Sequence, residues 1–233
     1  MVTHTNSADK NSDSTPEIIA IRLSDPVGYL EMLERQRTRC REVADGKANP
    51  TLFLLEHRPV ITLGRNAHAE HLLRPREALT AMGIEIIDAD RGGDVTYHGP
   101  GQMVAYPILD LHAWRRSVDW YLRALEESVI RTLAVYGLRG ERLAGYTGVW
   151  VEGAKVAAIG VGLRRWTTFH GIALNVNPDM THFSLIVPCG ISDKPVTSLQ
   201  QILGEVPPMV AVMDTFERCF RECFCGPDRI PLT

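Results

Sequence analysis

A hairpin pattern in the second half of the chain constrains the fold more than any other sequence feature. Two apolar runs, 146–151 and 155–163, lie on either side of a turn at Glu152 and Gly153. A two-residue connection containing Gly between runs rich in β-branched residues is typical of a tight β-hairpin. Another apolar run follows at 169–176. We therefore predict an antiparallel hairpin and then a further strand.

Segments with helical spacing of apolar residues are interspersed with the predicted strands. The clearest helix covers 118–136 and ends before Gly137, a residue that commonly terminates helices. The remaining elements that we predict are helices at 24–44, 75–82 and about 207–222, and strands at 18–23, 51–55, 60–63, 84–87 and 103–111. Because hairpins and helices mix irregularly, the pattern favours one α+β domain over a regular βαβ series.

Composition excludes several classes of protein. A chain of 233 residues with 45% hydrophobic and 23% charged residues has the balance of a globular protein. Its formal net charge of −3 argues against a protein that wraps nucleic acid. Without an apolar run of about 18 residues, we expect no membrane span. We expect a disordered polar tail over 1–16 and one folded domain over 17–233.

The cysteine count and the N-terminal segment bear on location. Five cysteines, an odd number in a long chain, do not suggest a disulfide framework. The first 16 residues are polar and lack the apolar stretch of a secretory signal. We therefore expect a reducing, cytoplasmic location. Nothing in the pattern demands a dimer, so we expect a monomer.

A glycine-rich polar segment is the strongest candidate for a binding loop. It consists of Arg91, Gly92, Gly93, Asp94, Val95, Thr96, Tyr97, His98, Gly99, Pro100, Gly101 and Gln102. Glycines let a backbone approach a ligand closely, and the interleaved polar side chains can hydrogen-bond it. The spacing matches neither a Walker A loop nor a dinucleotide-binding fingerprint, so phosphate binding has weak support. We predict that this loop lines a pocket.

Cys189 differs from the other cysteines in its local sequence. It lies between Pro188 and Gly190, where a strand end and a tight turn could present it to a cleft. Local sequence alone supports an inert turn cysteine equally well. Cys219 and Cys223 lie one helical turn apart, but no C-x-x-C pair or matching histidine spacing accompanies them, so we expect no zinc site.

Lys155 and three histidines are the candidate acid/base groups. Lys155 begins the second hairpin strand, where a lysine is usually at the surface but could point inward as a tunable amine. His57, His98 and His170 are each flanked by turn residues. No H-E-x-x-H motif or spaced set of carboxylates suggests a metal, and we predict none.

Five ordered motifs resemble those of the octanoyltransferases, also called lipoyl(octanoyl) transferases. The longest begins at Arg91 and continues through Thr96-Tyr97-His98 and Gly101-Gln102 to Val104 and Tyr106. The others are Glu56-His57-x-Pro59-Val60-x-Thr62-x-Gly64, Gly153-x-Lys155-Val156-x-x-Ile159-Gly160, Phe169-His170-Gly171-x-Ala173-Leu174-Asn175-Val176-Asn177 and Pro188-Cys189-Gly190. Together they cover roughly 18–205. Five motifs in the family's order are far more specific than one.

The resemblance implies a fold and a reaction. The fold would be a single catalytic domain with a mixed β-sheet and flanking helices, like that of the biotin and lipoate protein ligases. The reaction would transfer an octanoyl group from the phosphopantetheine of acyl carrier protein to one lysine of a lipoyl domain. Such domains occur in the E2 subunits of 2-oxo acid dehydrogenases and in the glycine cleavage H protein. No cofactor and no ATP are implied.

The resemblance also implies site residues. A catalytic Cys/Lys dyad of the family corresponds to Cys189 and Lys155. The loop 91–98 would line the acyl pocket and the channel for the acceptor lysine. The remaining pocket residues would be Ala158, Ile159, Gly160, Gly171, Ile172 and Ala173, whose mostly small side chains leave room for an eight-carbon chain.

Elementary chemistry is consistent with this assignment. The donor is a thioester, so a cysteine nucleophile exchanges one thioester for another at nearly equal free energy, and the final amide lies downhill. A lysine beside the thiol would favour the thiolate and could then move the proton between the two half-reactions. ATP is therefore not required.

Three alternative functions stay open at the level of sequence. One is an ATP-dependent lipoate or biotin ligase, which should not need Cys189. Another is a non-catalytic adaptor that binds acyl carrier protein. The third is a cysteine hydrolase, in which His98 or His170 would orient the thiolate.

Overall fold

The computed structural model describes residues 16–191, 193–226 and 230–231. The polar tail predicted over 1–16 therefore lies outside the described residues, except for Pro16. Within them the chain forms two mixed sheets with flanking helices, which confirms the predicted α+β class.

The larger sheet has six strands. They are β1 (Ile19–Arg22), β2 (Thr51–Leu55), β6 (Gln102–Ile108), β7 (Val149–Val151), β8 (Ala154–Arg164) and β9 (Thr167–Asn175). Their spatial order is β1-β2-β6-β9-β8-β7. β1 runs parallel to β2, whereas the other neighbours are antiparallel. This arrangement places the long strands β8 and β9 side by side.

The predicted hairpin is confirmed, and its turn has the expected geometry. Val151 pairs with Ala154 across the turn. Glu152 and Gly153 have φ values of 51° and 79°. Positive φ at both central residues is the property of a type I′ turn, whose twist matches that of the flanking strands. The turn therefore fixes the register that carries Lys155 into β8.

A smaller sheet of three strands lies beside the larger one. It contains β3 (Val60–Leu63), β4 (Glu85–Asp88) and β5 (Val95–His98), in the order β4-β3-β5. β3 is parallel to β4 and antiparallel to β5. The segment 91–98 was expected to be a loop, but its second half is this buried strand. Because glycines lie on both sides of this strand, the segment has the composition of a loop and the strand was not predicted.

In the described residues, five α-helices cover the sheets. They are α1 (Tyr29–Ala44), α2 (Arg76–Ala81), α3 (Val118–Val135), α4 (Leu199–Leu203) and α5 (Met209–Cys225). Helices α3 and α5 pack with one face of the larger sheet, and α1 packs with the other. Within β2, Leu52 and Leu54 pack into the core on the side of α3 and α5, and Phe53 and Leu55 pack into the core on the side of α1. This alternation follows from the two-residue period of a strand.

Helix α1 begins five residues later than predicted. Val27 forms a parallel bridge with His57, and its N–H donates to Glu56 O at 3.0 Å. These contacts hold the chain extended up to Gly28, the N-cap residue. Long-range pairing thus overrides the local signal for a helix start at Ser24. In the part of the chain that the structure describes, no helix is long and apolar enough to cross a membrane.

Candidate active site

A cavity that is open to solvent lies among the two sheets, α1 and the turn that carries Cys189, and its empty space of about 450 Å³ includes part of that solvent. Its lining residues are Tyr29, Arg91, Gly92, Gly93, Asp94, Thr96, His98, Tyr106, Ala158, Ile159, Gly160, His170, Gly171, Ile172, Ala173 and Cys189. Most belong to motifs that the sequence analysis selected. Tyr29 does not, because it is the first residue of α1 and has no local signal for a pocket.

The turn 188–190 holds Cys189 in an unusual backbone conformation. Cys189 has φ 57° and ψ 19°, and Gly190 has φ 68°. A left-handed conformation costs a non-glycine residue about 1–2 kcal/mol. Such strain persists where the surrounding structure enforces it, and it concentrates at functional sites. The conformation leaves the Cys189 side chain half-buried at the cavity.

Lys155 and Cys189 meet although 34 residues separate them. Lys155 Nζ donates to Cys189 Sγ at 3.2 Å. The main chain of Lys155 forms two hydrogen bonds with the segment after the turn, Lys155 N to Pro195 O at 2.8 Å and Thr197 N to Lys155 O at 2.9 Å. Because these bonds align β8 with that segment, the amine and the thiol lie side by side. Lys155 is 6% exposed.

Arg91 organises the glycine-rich segment from within. Its guanidinium donates to Thr62 Oγ1 and Thr62 O, at 2.8 Å and 2.7 Å from Nη2, and to Gly92 O. Gly64 is required beside it, because a Cβ there would overlap the backbone oxygen of Gly93. No carboxylate in the described part of the chain forms an ion pair with Arg91, so the buried guanidinium places a positive charge at the cavity wall.

Strand geometry corrects two of the predicted pocket residues. Thr96 and His98 face the cavity, whereas Val95 and Tyr97 do not line it. In β5 successive side chains point to opposite faces, so Val95 and Tyr97 pack into the apolar cluster beneath the smaller sheet. The Tyr97 hydroxyl pairs with His182 Nδ1 at 2.8 Å. A loop would not have imposed this alternation.

Small residues on β8 and β9 form the cavity wall. Ala158 pairs with Ala173, and Gly160 pairs with Gly171. At Gly171 an added Cβ would overlap Ala105 O and lie 2.8 Å from Pro107 Cδ. The glycine is therefore needed for the close approach of β9 to β6. All six residues predicted from these two segments line the cavity.

Three histidines lie at or behind the cavity, and burial disfavours the charged form of each. Desolvation lowers the pKa of His98 to about 3 and that of His57 to about 4. Desolvation also lowers the pKa of His170, against the opposing effect of Asp90. His98 Nδ1 pairs with Gln102 Oε1 at 2.7 Å, and His170 Nε2 pairs with Asp90 Oδ1 at 2.8 Å. The hydrogen-bond partner of Cys189 Sγ is Lys155 and neither His98 nor His170.

Asp94 braces the turn that presents Cys189. Its Oδ2 pairs with His71 Nδ1 at 2.5 Å, and a Cβ at Gly190 would lie 2.6 Å from the same oxygen. The main chain of His71 accepts a hydrogen bond from Val187 N at 2.9 Å. The sequence analysis did not identify His71, because its link to the turn depends on this tertiary pairing.

Three of the other four cysteines are core residues. Cys40 is 3% exposed on the inner side of α1, and Cys219 and Cys223 are buried where α5 packs. Burial raises the pKa of Cys223 to about 11. Among the described residues, no group of three or more His, Cys, Asp and Glu could hold a metal ion.

Comparison with known proteins identifies the family. The model of the lipoyl protein ligase A/B catalytic domain matches residues 28–221. An octanoyltransferase of Chloroflexus aggregans is 53% identical over 191 residues, covering 81% of this chain and 86% of the relative. An octanoyltransferase of Nostoc sp. is 55% identical over 175 residues, covering 74% of this chain and 77% of the relative.

Solved structures share the fold at much lower identity. A bipartite lipoate protein ligase of Thermoplasma acidophilum, determined with its E2 lipoyl domain, superimposes with a TM-score of 0.67 at 16% identity, covering 90% of this chain and 83% of its own. A biotin protein ligase of Aquifex aeolicus gives a TM-score of 0.54 at 16% identity, with coverages of 88% and 69%. The predicted likeness to the ligase fold is thus confirmed, and the chain belongs to the lipoyl protein ligase A/B catalytic domain family, within its octanoyltransferase group.

Proposed function

We propose that the protein transfers an octanoyl group from acyl carrier protein to a lysine of lipoyl domains, through an acyl thioester on Cys189. The observation that carries the proposal is the 3.2 Å contact between Lys155 Nζ and Cys189 Sγ at the edge of the cavity. Relatives named octanoyltransferase, about half identical over most of the chain, support the same reaction.

In the first half-reaction, Lys155 takes the proton of the Cys189 thiol. The thiolate attacks the carbonyl carbon of the donor thioester, and the new bond to Sγ forms as the bond to the phosphopantetheine sulfur breaks. Lys155 then gives its extra proton to the departing thiolate. A cysteine is a poor nucleophile as a thiol, so the adjacent amine supplies the activation.

In the second half-reaction, the acceptor lysine must attack as a neutral amine. Its nitrogen forms a bond to the octanoyl carbon, the bond to Cys189 Sγ breaks, and the proton released from the nitrogen returns to Cys189 by way of Lys155. The products are an octanoyl amide on the acceptor and the free dyad. One group that alternates as base and acid serves both halves.

The cavity supplies a site for the acyl chain. Ala158 and Ala173 provide apolar surface, and the paired glycines of β8 and β9 leave space beside them. His98 and His170 face the same space, and the lowered pKa of each favours the uncharged form near neutral pH. Uncharged imidazoles are compatible with a hydrocarbon chain, although the buried Arg91 adds a positive charge to the same lining.

The acceptor class has support from a structural relative. The Thermoplasma lipoate ligase was determined with an E2 lipoyl domain, and this chain covers 83% of that ligase's length with the same fold. We propose E2 lipoyl domains and the glycine cleavage H protein as acceptors. We propose no cofactor, because thioester exchange and amide formation need no ATP.

Specific observations bear on the alternatives. The described ligases are 16% identical to this chain, whereas the octanoyltransferases are about half identical, which favours transfer over ATP-dependent ligation. The contact of Cys189 with Lys155 and not with His98 or His170 argues against a histidine-dependent hydrolase. A strained, amine-paired cysteine is also unexpected in a mere adaptor.

The test is intact-protein mass spectrometry after mixing the enzyme with octanoyl-acyl carrier protein in the absence of ATP. We expect one octanoyl adduct on the wild type and its movement to an apo lipoyl domain added afterwards. Cys189→Ser should form no thioester adduct. Cys225→Ser is the matched control, because Cys225 is also only partly buried and lies outside the cavity.

Two outcomes would refute the proposal. An adduct that persists in Cys189→Ser but is lost in Cys225→Ser would place the nucleophile elsewhere. Transfer that occurs only with free octanoate and ATP would establish the ligase reaction instead.

A further inference from the structure

The surroundings of Lys155 are unusual for a buried lysine. Within the described parts of the chain, its ammonium group donates one hydrogen bond, to Cys189 Sγ. Across residues 16–191 and 193–226, no ion pair joins it to a carboxylate. A buried ammonium group needs compensation for its lost hydration. Something other than a carboxylate must therefore supply part of that compensation.

Trp150 lies directly against this group. Lys155 Nζ is 5.0 Å from the centroid of the Trp150 ring, within the distance at which an aromatic face attracts a cation. Trp150 is 2% exposed and belongs to β7, the neighbouring strand of the hairpin. Lys155 Nζ is thus held between an indole face and a thiol.

Burying the indole N–H group of Trp150 has an energetic cost. Trp150 Nε1 is buried without a hydrogen-bond partner among the described residues. By contrast, Trp114 Nε1 donates to Phe224 O at 3.0 Å. A phenylalanine or leucine would fill the position of Trp150 without desolvating an N–H group. The indole ring therefore offers something that apolar volume alone does not, and a tryptophan face binds cations better than the other aromatic rings.

Gly148 closes a third side around the lysine. A Cβ at Gly148 would lie 2.7 Å from Lys155 Cε and 2.6 Å from Ala157 O. The N–H of Gly148 donates to Glu126 Oε1 at 3.2 Å. Glu126 is fully buried and is held by Arg123 and Arg142. This network fixes the backbone against which the lysine side chain lies.

We infer that Trp150 is a positioning residue for the Cys189–Lys155 pair, and that its indole face stabilises the ammonium–thiolate form of that pair. The inference rests on the proposed function for the role of Lys155. A carboxylate in the same place would hold the lysine permanently protonated and oppose its work as a base. The indole face attracts the cation but accepts no proton, so the lysine keeps its ability to alternate.

The number of protons shared by Lys155 and Cys189 determines how the effect of Trp150 depends on pH. The ammonium–thiolate and amine–thiol forms carry the same number of protons, so Trp150 alters their ratio near neutral pH. At high pH the amine and the thiolate coexist, and the indole no longer affects the amount of thiolate. The other titratable or charged groups nearby lie on three sides. They are Arg91 and Asp94 at the cavity, His71 bonded to Asp94, Tyr146 and Glu141 beside Trp150, and the Glu126 carboxylate with Arg123 and Arg142 behind Gly148.

The experiment measures alkylation of Cys189 by iodoacetamide as a function of pH, with the modified peptide quantified by mass spectrometry. Near pH 7 we expect Trp150→Leu to slow alkylation between about threefold and thirtyfold, the range given by a cation–aromatic contact. Trp150→Phe keeps a weaker aromatic face and should be intermediate. All rates should converge at high pH. In octanoyl transfer, kcat should fall while KM stays unchanged.

Two controls separate positioning from stability. Trp114→Leu removes a buried tryptophan outside the cavity, and it should lower the urea midpoint without changing the pH profile. In a Lys155→Met background, Trp150→Leu should have no further effect on alkylation. An equal effect of Trp150→Leu with and without Lys155, or identical rates for Trp150→Leu and the wild type, would overturn the inference.

Alkylation also keeps the two proposals distinguishable. Iodoacetamide is not a substrate, so its reaction reports on the pair whether or not octanoyl is transferred. Failure of the wild type to transfer octanoyl would refute the proposed function alone. Normal transfer together with unchanged alkylation in Trp150→Leu would overturn only the role of Trp150.

Discussion

Acidification from pH 7.5 to pH 5 is expected to destabilise the protein through His57 and His98. Burial lowers their folded-state pKa values to about 4 and about 3, from an ordinary value of 6.5. At pH values between the folded-state pKa and the ordinary pKa of 6.5, the unfolded chain binds more protons than the folded one. Stability is therefore fully present above pH 6.5 and is lost as pH falls toward the folded values.

The magnitude follows from the difference between pH 5 and the unfolded pKa. At pH 5 each histidine is expected to remove about 2 kcal/mol from the free energy of unfolding, since one pKa unit corresponds to about 1.4 kcal/mol. His170, whose pKa is also lowered, adds in the same direction. Asp90 has a lowered pKa as well, but its contribution is lost only near and below its ordinary value of 3.8, outside this window.

Urea unfolding followed by tryptophan fluorescence at the two pH values provides the assay. We compare the wild type with His98→Asn and His57→Asn, and in each the quantity of interest is the stability at pH 7.5 minus that at pH 5. Each substitution should reduce this difference by about 2 kcal/mol, even where it lowers stability at both pH values. A wild type equally stable at both pH values, or variants with an undiminished difference, would refute the reasoning.

Three substitutions test the site further. Lys155→Met should slow formation of the acyl-enzyme by at least about 100-fold in rapid-quench mass spectrometry, because it removes the general base, and an unchanged rate would contradict its role. Gly171→Ala should reduce the free energy of urea unfolding by about 1–3 kcal/mol, since its Cβ would overlap Ala105 O. The matched control Gly28→Ala, whose Cβ would meet only Arg58 Nη1 at 3.9 Å, should change it by less than about 1 kcal/mol, and equal losses would argue against the overlap. Gly148→Ala should lower kcat for octanoyl transfer, because its Cβ would displace the Lys155 side chain. Steady-state kinetics measure kcat, and an unchanged value would contradict this expectation.

Elements with a strong local pattern were predicted well from the sequence. The type I′ turn needs two residues that accept positive φ, and Glu152-Gly153 provides them between two apolar runs. The helix expected over 118–136 is α3, Val118–Val135, because its apolar face repeats with the helical period. Boundaries set by distant contacts were predicted less well, as the late start of α1 at Tyr29 illustrates.

The candidate site was also predicted only in part from the sequence. Lys155 and Cys189 were singled out by motifs that resemble those of a known family, because local sequence alone left Cys189 equally compatible with an inert turn residue. The direction of each side chain in β5 is not visible in the sequence, because a strand hidden among glycines decides that Thr96 faces the cavity and Tyr97 does not. Tyr29 and His71 reach the site only through the packing of α1 and the pairing near Val187.

The sequence by itself determined the hairpin, the main helices and the family, because turn geometry, helical periodicity and motif order are properties of short segments. Only the tertiary structure decided which of these segments meet. Hydrogen bonds between Lys155 and the chain at Pro195 and Thr197 bring an amine to within 3.2 Å of a thiol 34 residues away. Trp150 joins them because the hairpin register places its ring against the lysine. Such contacts depend on strand register and packing, which no local pattern specifies.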